Sequence, residues 1–350
     1  MSATAQAPAT IGARAASLDE AVAAAAALLG RARAPVIAGL GTDIAGAQAA
    51  AALAARIDAV LDHAEAPALL RDLDAMRQGG LVLTTPAQAR ARADLVVLVG
   101  PGLGEAWPEL PARLGLDQPP TLFPDRQRTV LPLDVSAAPA VRLGLLRALL
   151  AGRAVAAAPA ERAALAPAVA AFSAAQYAVV VWSAARLEAL AVDMLAGLIA
   201  DRNARARCAG LPLSAPGNAA GVAQALGWES GFPVRVGFRD GIARHDPHRY
   251  DAARLVDSGE ADAALWIDAF GNAAPPWRRL LPTVALTAAP LPAAPDVAIG
   301  VGRPGVDHDA VLYAAATAGL AAMRAQAPSA APTVAAVLAR ISAAIAGPAC

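Results

Sequence analysis

GWESGFPVRVGFRDGIARHDPHRYDAARLVDSGEADAALWIDAF, residues 227–270, is the stretch whose reading decides the fold. It falls into four pieces. Trp228-Glu229-Ser230-Gly231-Phe232-Pro233 closes a helical segment, because Gly and Pro punctuate elements. Arg244-His245-Asp246-Pro247 is a loop. Residues 251–258 then read as a short helix, and Gly259-Glu260-Ala261-Asp262-Ala263 turns the chain into an apolar run, Ala263–Asp268. An apolar run of that length bounded by turn signals is a buried strand.

Working outward, apolar runs and helical segments alternate. The expected strands are Pro35–Leu40, Ala59–Leu61, Leu95–Gly100, Thr129–Leu133, Ala178–Trp182, Ala263–Asp268, Thr283–Leu286 and Val297–Val301. The expected helices span 18–30, 45–56, 86–92, 137–151, 160–174, 187–202, 217–226, 251–258, 310–325 and 333–346. Ser17, with Glu20 three residues on, forms a capping box for the first of them. Apolar strands alternating with helices predict an α/β fold built on buried parallel sheet. A faint internal repeat supports two related units: Arg92-Ala93-Asp94-Leu95-Val96-Val97-Leu98 matches Gly259-Glu260-Ala261-Asp262-Ala263-Ala264-Leu265, each with an Asp just ahead of a strand. Residues 1–16 read as a tail.

Twenty-nine acidic residues balance 29 basic ones, all arginine, so the net charge is zero. A neutral chain has no overall field to draw it to nucleic acid or to an anionic membrane. Mean hydropathy is high at +0.46, but alanine supplies most of it and adds little transfer energy. No run of about 18 strongly apolar residues predicts a membrane span. The start of the chain lacks the basic-then-apolar pattern of a signal peptide. Two cysteines, Cys208 and Cys350, make no disulfide framework. The expected compartment is the cytoplasm.

Few residue groups in the chain carry chemistry. The turn Gly39-Leu40-Gly41-Thr42-Asp43-Ile44-Ala45-Gly46 follows a strand and opens a helix, which is the setting of a dinucleotide site. Its third Gly comes too late, and Asp43 at the helix start repels a pyrophosphate. Gly100-Pro101-Gly102-Leu103-Gly104 follows another strand. His245-Asp246-Pro247-His248 and Asp307-His308-Asp309 hold metal-ligating residue types without helical spacing, so no metal site is expected. Ser214, Ser230 and Cys208 have no base partner in any motif, so no catalytic residue is expected either.

On Trp228–Pro233, Arg244–Pro247 and Gly259–Ala263 the chain resembles the B-type subunit of formylmethanofuran dehydrogenase, a tungsten or molybdenum pterin protein. It lacks the thiols of that family. No Cys precedes Cys208, so an iron–sulfur cluster has no ligands, and Asp62-His63-Ala64-Glu65-Ala66-Pro67 stands where the metal-bound Cys belongs. The combination is similar to the non-redox relative, the beta subunit of the formyltransferase/hydrolase complex. The resemblance runs over about 35–325 and is strongest at 35–62, 92–100 and 215–270, with Asn218 in a further family segment.

That resemblance implies two interleaved Rossmann-like parallel-sheet units, of the formate dehydrogenase/DMSO reductase domain 2–3 type. The first is 17–127 plus 227–325, the inserted second is 128–226, and 326–350 are a linker and C-terminal helix. It implies a non-catalytic structural subunit of a complex converting formyl-tetrahydromethanopterin, via formyl-methylofuran, to formate. The partners implied are the alpha, gamma and delta subunits, with the metal on alpha and no cofactor on this chain. The glutamate-rich tail of methylofuran is expected to meet Arg235, Arg239, Arg244 and Arg249, because guanidinium groups grip carboxylates in pairs of hydrogen bonds. The alternatives are a pterin–molybdenum or tungsten oxidoreductase subunit, with Asp62 or Glu65 as an oxygen ligand, and a nucleotide-binding α/β protein.

Overall fold

The computed structural model describes residues 9–271 and 273–345. In chain order the elements are β1 (Ala9–Ile11), β2 (Arg14–Ala16), α1 (Leu18–Leu29), β3 (Pro35–Gly41), α2 (Ile44–Arg56), β4 (Val60–Leu61), α3 (Ala66–Gly79), α4 (Pro86–Arg92) and β5 (Leu95–Val99). They continue with α5 (Leu103–Ala106), α6 (Leu110–Leu114), β6 (Thr129–Leu133), α7 (Pro139–Leu150), α8 (Pro159–Ala174), β7 (Tyr177–Trp182), α9 (Ala189–Asn203), β8 (Arg207–Pro212) and α10 (Ala219–Ser230). The last are β9 (Val236–Arg239), β10 (Ile242–His245), α11 (Ala252–Asp257), β11 (Ala263–Asp268), β12 (Thr283–Thr287), β13 (Val297–Gly300), β14 (Ala310–Ala314), β15 (Gly319–Met323) and α12 (Val334–Ala344).

The chain divides into two compact units. One comprises the segments up to Ala66, Pro216–Tyr313 and from Leu320 onward; the other is Pro67–Ala215 with Ala314–Gly319. The first unit holds a nine-stranded sheet in the order β10-β9-β4-β3-β11-β12-β13-β1-β2. Its centre, β4 to β13, is parallel. Antiparallel pairs close both edges. Helices α1, α2, α10 and α12 cover one face, with Leu29, Leu53, Leu226 and Leu338 in the core. The other face packs Trp266 against Trp277 and Leu255. The second unit is a four-stranded parallel sheet, β6-β5-β7-β8. It is covered by α7, α8 and α9 on one face and by α4 and α6 on the other.

Several expectations need correction. The insertion starts at Pro67 rather than near 128 and ends at Ala215 rather than 226, because β5 pairs with β6 and β7 instead of joining the first sheet. Residues 9–16 are not a tail: β1 and β2 extend the sheet beyond β13. Residues 1–8 and 346–350 lie outside the described residues. Residues 310–325 are not a helix but the two strands of a separate sheet, β14 and β15. Alanine content favoured a helix there, yet Thr317 folds back on the Ala314 carbonyl and Ala318 takes φ +53°, while the Tyr313 amide is held by Asn218. Tertiary partners override propensity in such a segment.

Candidate functional site

An open α/β sheet offers ligands the carboxyl ends of its parallel strands. In the first unit that position gathers Gly39 and Gly41 of β3, His63 and Glu65 after β4, Gly217 before α10, and Asp268 at the end of β11. Together they leave a cavity of about 30 Å³, room for a water molecule or two. Gly39 explains why it is so small. With φ at +81°, its missing Cβ lets Ile267 O and the Trp266 ring approach to within 2.5 and 3.0 Å of where that atom would be.

Two of the polar side chains around the cavity, Asp268 and His63, serve the protein itself. Asp268 is buried and accepts backbone N–H bonds from Phe270, Gly271 and Ala273, tying down the loop after β11. The His63 ring is buried, and burial pushes its pKa down to about 4. It is therefore neutral: Nδ1 accepts the Glu65 N–H at 2.9 Å and Nε2 donates to the Gly217 carbonyl at 3.2 Å. Half-burial raises the Glu65 carboxyl above its ordinary range.

Asp43 caps α2 through the Gly46 N–H at 2.9 Å, so a carboxylate occupies the place a pyrophosphate would need. Asp62 is buried too. Its Oδ2 accepts the Ala252 N–H at 3.0 Å and lies 3.5 Å from Arg235 Nε, while its Oδ1 has no partner. Burial, the largest influence, pushes the Asp62 carboxyl up to about 7 against the pull of Arg235. Drug-sized ligands occupy roughly 300–1,000 Å³. A pterin therefore does not fit the cavity, and Asp62 is held away from it by α11 and Arg235.

The four arginines expected to grip carboxylates separate in the structure. Arg235 is buried at 9% exposure, in a left-handed backbone conformation (φ +51°). Its guanidinium pairs with Asp251 at 2.6 Å, faces Asp62 and donates to the Pro247 carbonyl. It is a structural ion-pair centre and is not open to a ligand. Arg239, Arg244 and Arg249 are exposed on the β9–β10 hairpin and the following loop. Arg239 and Arg249 line a surface groove of about 480 Å³ at the amino ends of the strands, with Arg33. Asp58, Asp240 and Glu260 line it as well, so the groove is nearly neutral.

The histidine groups do not converge; among the described residues no three of His, Cys, Asp and Glu gather to hold a metal. His245 stacks on Phe232 and its Nδ1 bonds the Val234 carbonyl. Asp246 accepts the His248 and Arg249 N–H groups, and Asp307 accepts that of Arg303. Cys208 is buried, which pushes its thiol up to about 12. In the second unit, the Gly100–Gly104 loop is overlain by Arg186, which donates to the Pro101 carbonyl and lies 6.0 Å from the Trp107 ring.

Sequence reasoning passed over Asp268, although an Asp at a strand end with Gly three residues on, Asp268-Ala269-Phe270-Gly271, is an Asx-turn signal. Asn218 proves to be a connector: its amide donates to the Thr42 carbonyl and accepts the Tyr313 N–H, both at 2.8 Å.

No family model matches the chain. It is 34% identical over 316 residues to the B-type subunit of the formyltransferase/hydrolase complex Fhc of Methylorubrum extorquens, covering 85% of this chain and 86% of that protein. A chain in the crystal structure of the formyltransferase/hydrolase complex of Methylorubrum extorquens with methylofuran superposes with a TM-score of 0.86 at 32% identity. The superposition covers 96% of this chain and 98% of that one.

Proposed function

The chain belongs to the family of the beta (B-type) subunits of the formyltransferase/hydrolase complex, and from that premise we propose that it is a structural, non-catalytic subunit of such a complex. The observation that carries the reading is the match along nearly the whole of both chains to a protein crystallised in that assembly. Its partners are then the alpha, gamma and delta subunits. The chemistry is theirs: a formyl group passes from tetrahydromethanopterin to methylofuran on delta, and formyl-methylofuran is hydrolysed to formate at the metal of alpha. The two sheets are read as degenerate relatives of domains 2 and 3 of formate dehydrogenase and DMSO reductase, working in the cytoplasm.

The carboxyl-end cavity supports the non-catalytic part of this reading. The His63 and Asp268 side chains in its wall already have backbone partners, and its volume suits water rather than a cofactor. The redox alternative finds no support there, and Asp43 opposes the nucleotide alternative. Arg239, Arg244 and Arg249 remain assigned to the acidic tail of methylofuran, without Arg235.

The test is affinity purification of this chain from its host. Co-elution of three further subunits, with formate released from formyl-tetrahydromethanopterin, is the expected result. Molybdenum or tungsten with pterin, present in equimolar amount on this chain, would refute it.

A further inference from the structure

A concavity of about 510 Å³ lies wholly in the second unit, between the C-terminal ends of α7 and α9. Arg147, Arg153, Arg202 and Arg205 line it, against a single carboxylate, Asp201. Residues 139–207 carry eight arginines and four acidic residues, a local excess in a chain whose net charge is zero.

The groove is built rather than incidental. Arg147 lies flat across α9, its Nε 2.8 Å from Asp201, because position 197 is glycine; a Cβ there would sit 2.3 Å from the Arg147 guanidinium. Arg202 is only 7% exposed and donates to the Phe172 carbonyl at 2.7 Å. Among the described residues neither Arg202 nor Arg153 nor Arg205 has an ion-pair partner. A buried charge without a counter-charge is costly, and an anion in the groove would relieve that cost.

We infer that this groove is a docking site for an acidic polypeptide segment of a partner, with aspartate or glutamate side chains spaced along an extended backbone. Guanidinium groups bind carboxylates through paired hydrogen bonds. The floor between them is apolar, formed by Leu150, Leu198 and Met194, and accepts the small side chains between the acids.

The test uses the purified full chain and a fluorescein-labelled peptide of alternating Glu and Ala, about eight residues long, read by anisotropy at low salt. Saturable binding is expected, weakened about tenfold or more in an Arg153→Ser/Arg205→Ser double variant and unaffected in Arg77→Ser/Arg324→Ser, which lie outside the groove. Both pairs are exposed, so folding is preserved. Equal binding by wild type and the Arg153/Arg205 variant would overturn the inference, as would no saturable binding at all. Displacement of the peptide by an equal concentration of inorganic phosphate would also overturn it.

Discussion

The two units begin their central strands with the same device and end them differently. In the second, Asp94 precedes β5, and its carboxylate accepts the N–H groups of Gln176 and Tyr177 at the start of β7, both at 3.0 Å. In the first, Asp262 precedes β11 and accepts those of Arg33 and Ala34 at the start of β3, at 2.8 and 2.9 Å. Each Asp also donates its own N–H to the neighbouring strand, to Tyr177 O and Ala34 O respectively. Register between parallel strands is thus pinned at the amino end by one carboxylate in each unit. At the carboxyl ends the resemblance stops. The first unit packs Trp266 against Gly39 and leaves its indole N–H without a partner, whereas the second gives the Trp182 indole a bond to Asp72 at 2.9 Å. The shared device serves folding, and the ends where a ligand would sit have diverged.

The largest effect should come from removing the shared device. Asp94→Ala and Asp262→Ala each delete two hydrogen bonds to a charged group, worth roughly 1.5–3 kcal/mol apiece before relaxation. We expect each to cost about 3 kcal/mol, with hydrogen exchange accelerated in its own unit. A loss confined to one variant would break the equivalence.

Next come the two tryptophans. Trp182→Phe strands the buried Asp72 carboxyl, which burial already raises to about 6, and should cost about 1–3 kcal/mol. Trp266→Phe removes a donor that has no partner and should cost less than about 1.5 kcal/mol. Denaturant titration of the two variants measures the difference, and equal losses would remove the distinction between the units.

Acid–base linkage separates the units further. Asp62, at about 7 against 3.8, gives stability that is complete below about 4 and lost as pH rises through about 7. His63, at about 4 against 6.5, gives stability present above about 6.5 and lost as pH falls through about 4. The two oppose each other in the first unit. In the second, Asp72 should weaken the fold as pH rises from about 4 through about 6, while Asp134, lowered by its hydrogen bonds from Ser136, acts the other way at lower pH. Asp62→Asn should therefore remove the buried opponent of His63, leaving only the half-buried Glu65 against it, and make first-unit exchange protection rise between pH 4 and 6.5. A profile unchanged by the substitution would sink this account.

The smallest effect belongs to the exposed arginines. Arg239→Ser, Arg244→Ser and Arg249→Ser should each change stability by less than about 0.5 kcal/mol. If the tail reading holds, the assembled complex should nevertheless show a KM for methylofuran raised a few-fold; an unaltered KM in the triple variant would refute it.

The sequence by itself determined the strand and helix alternation, the paired Asp-before-strand segments and the capping residues, because each depends on neighbours a few positions away. The family was legible for the same reason, in 227–270. Tertiary structure alone decided three things. Arg235, adjacent in sequence to open arginines, turned inward because Asp62 and Asp251 arrive from other elements. Ala310–Met323 became strands because Asn218 reaches it from nearly a hundred residues away. The cationic groove exists only because helix packing sets Arg147 and Arg153 beside Arg202 and Arg205, about fifty residues further along the chain. Local patterns record backbone preference, while charge and cavity are fixed by which distant side chains the packing brings together.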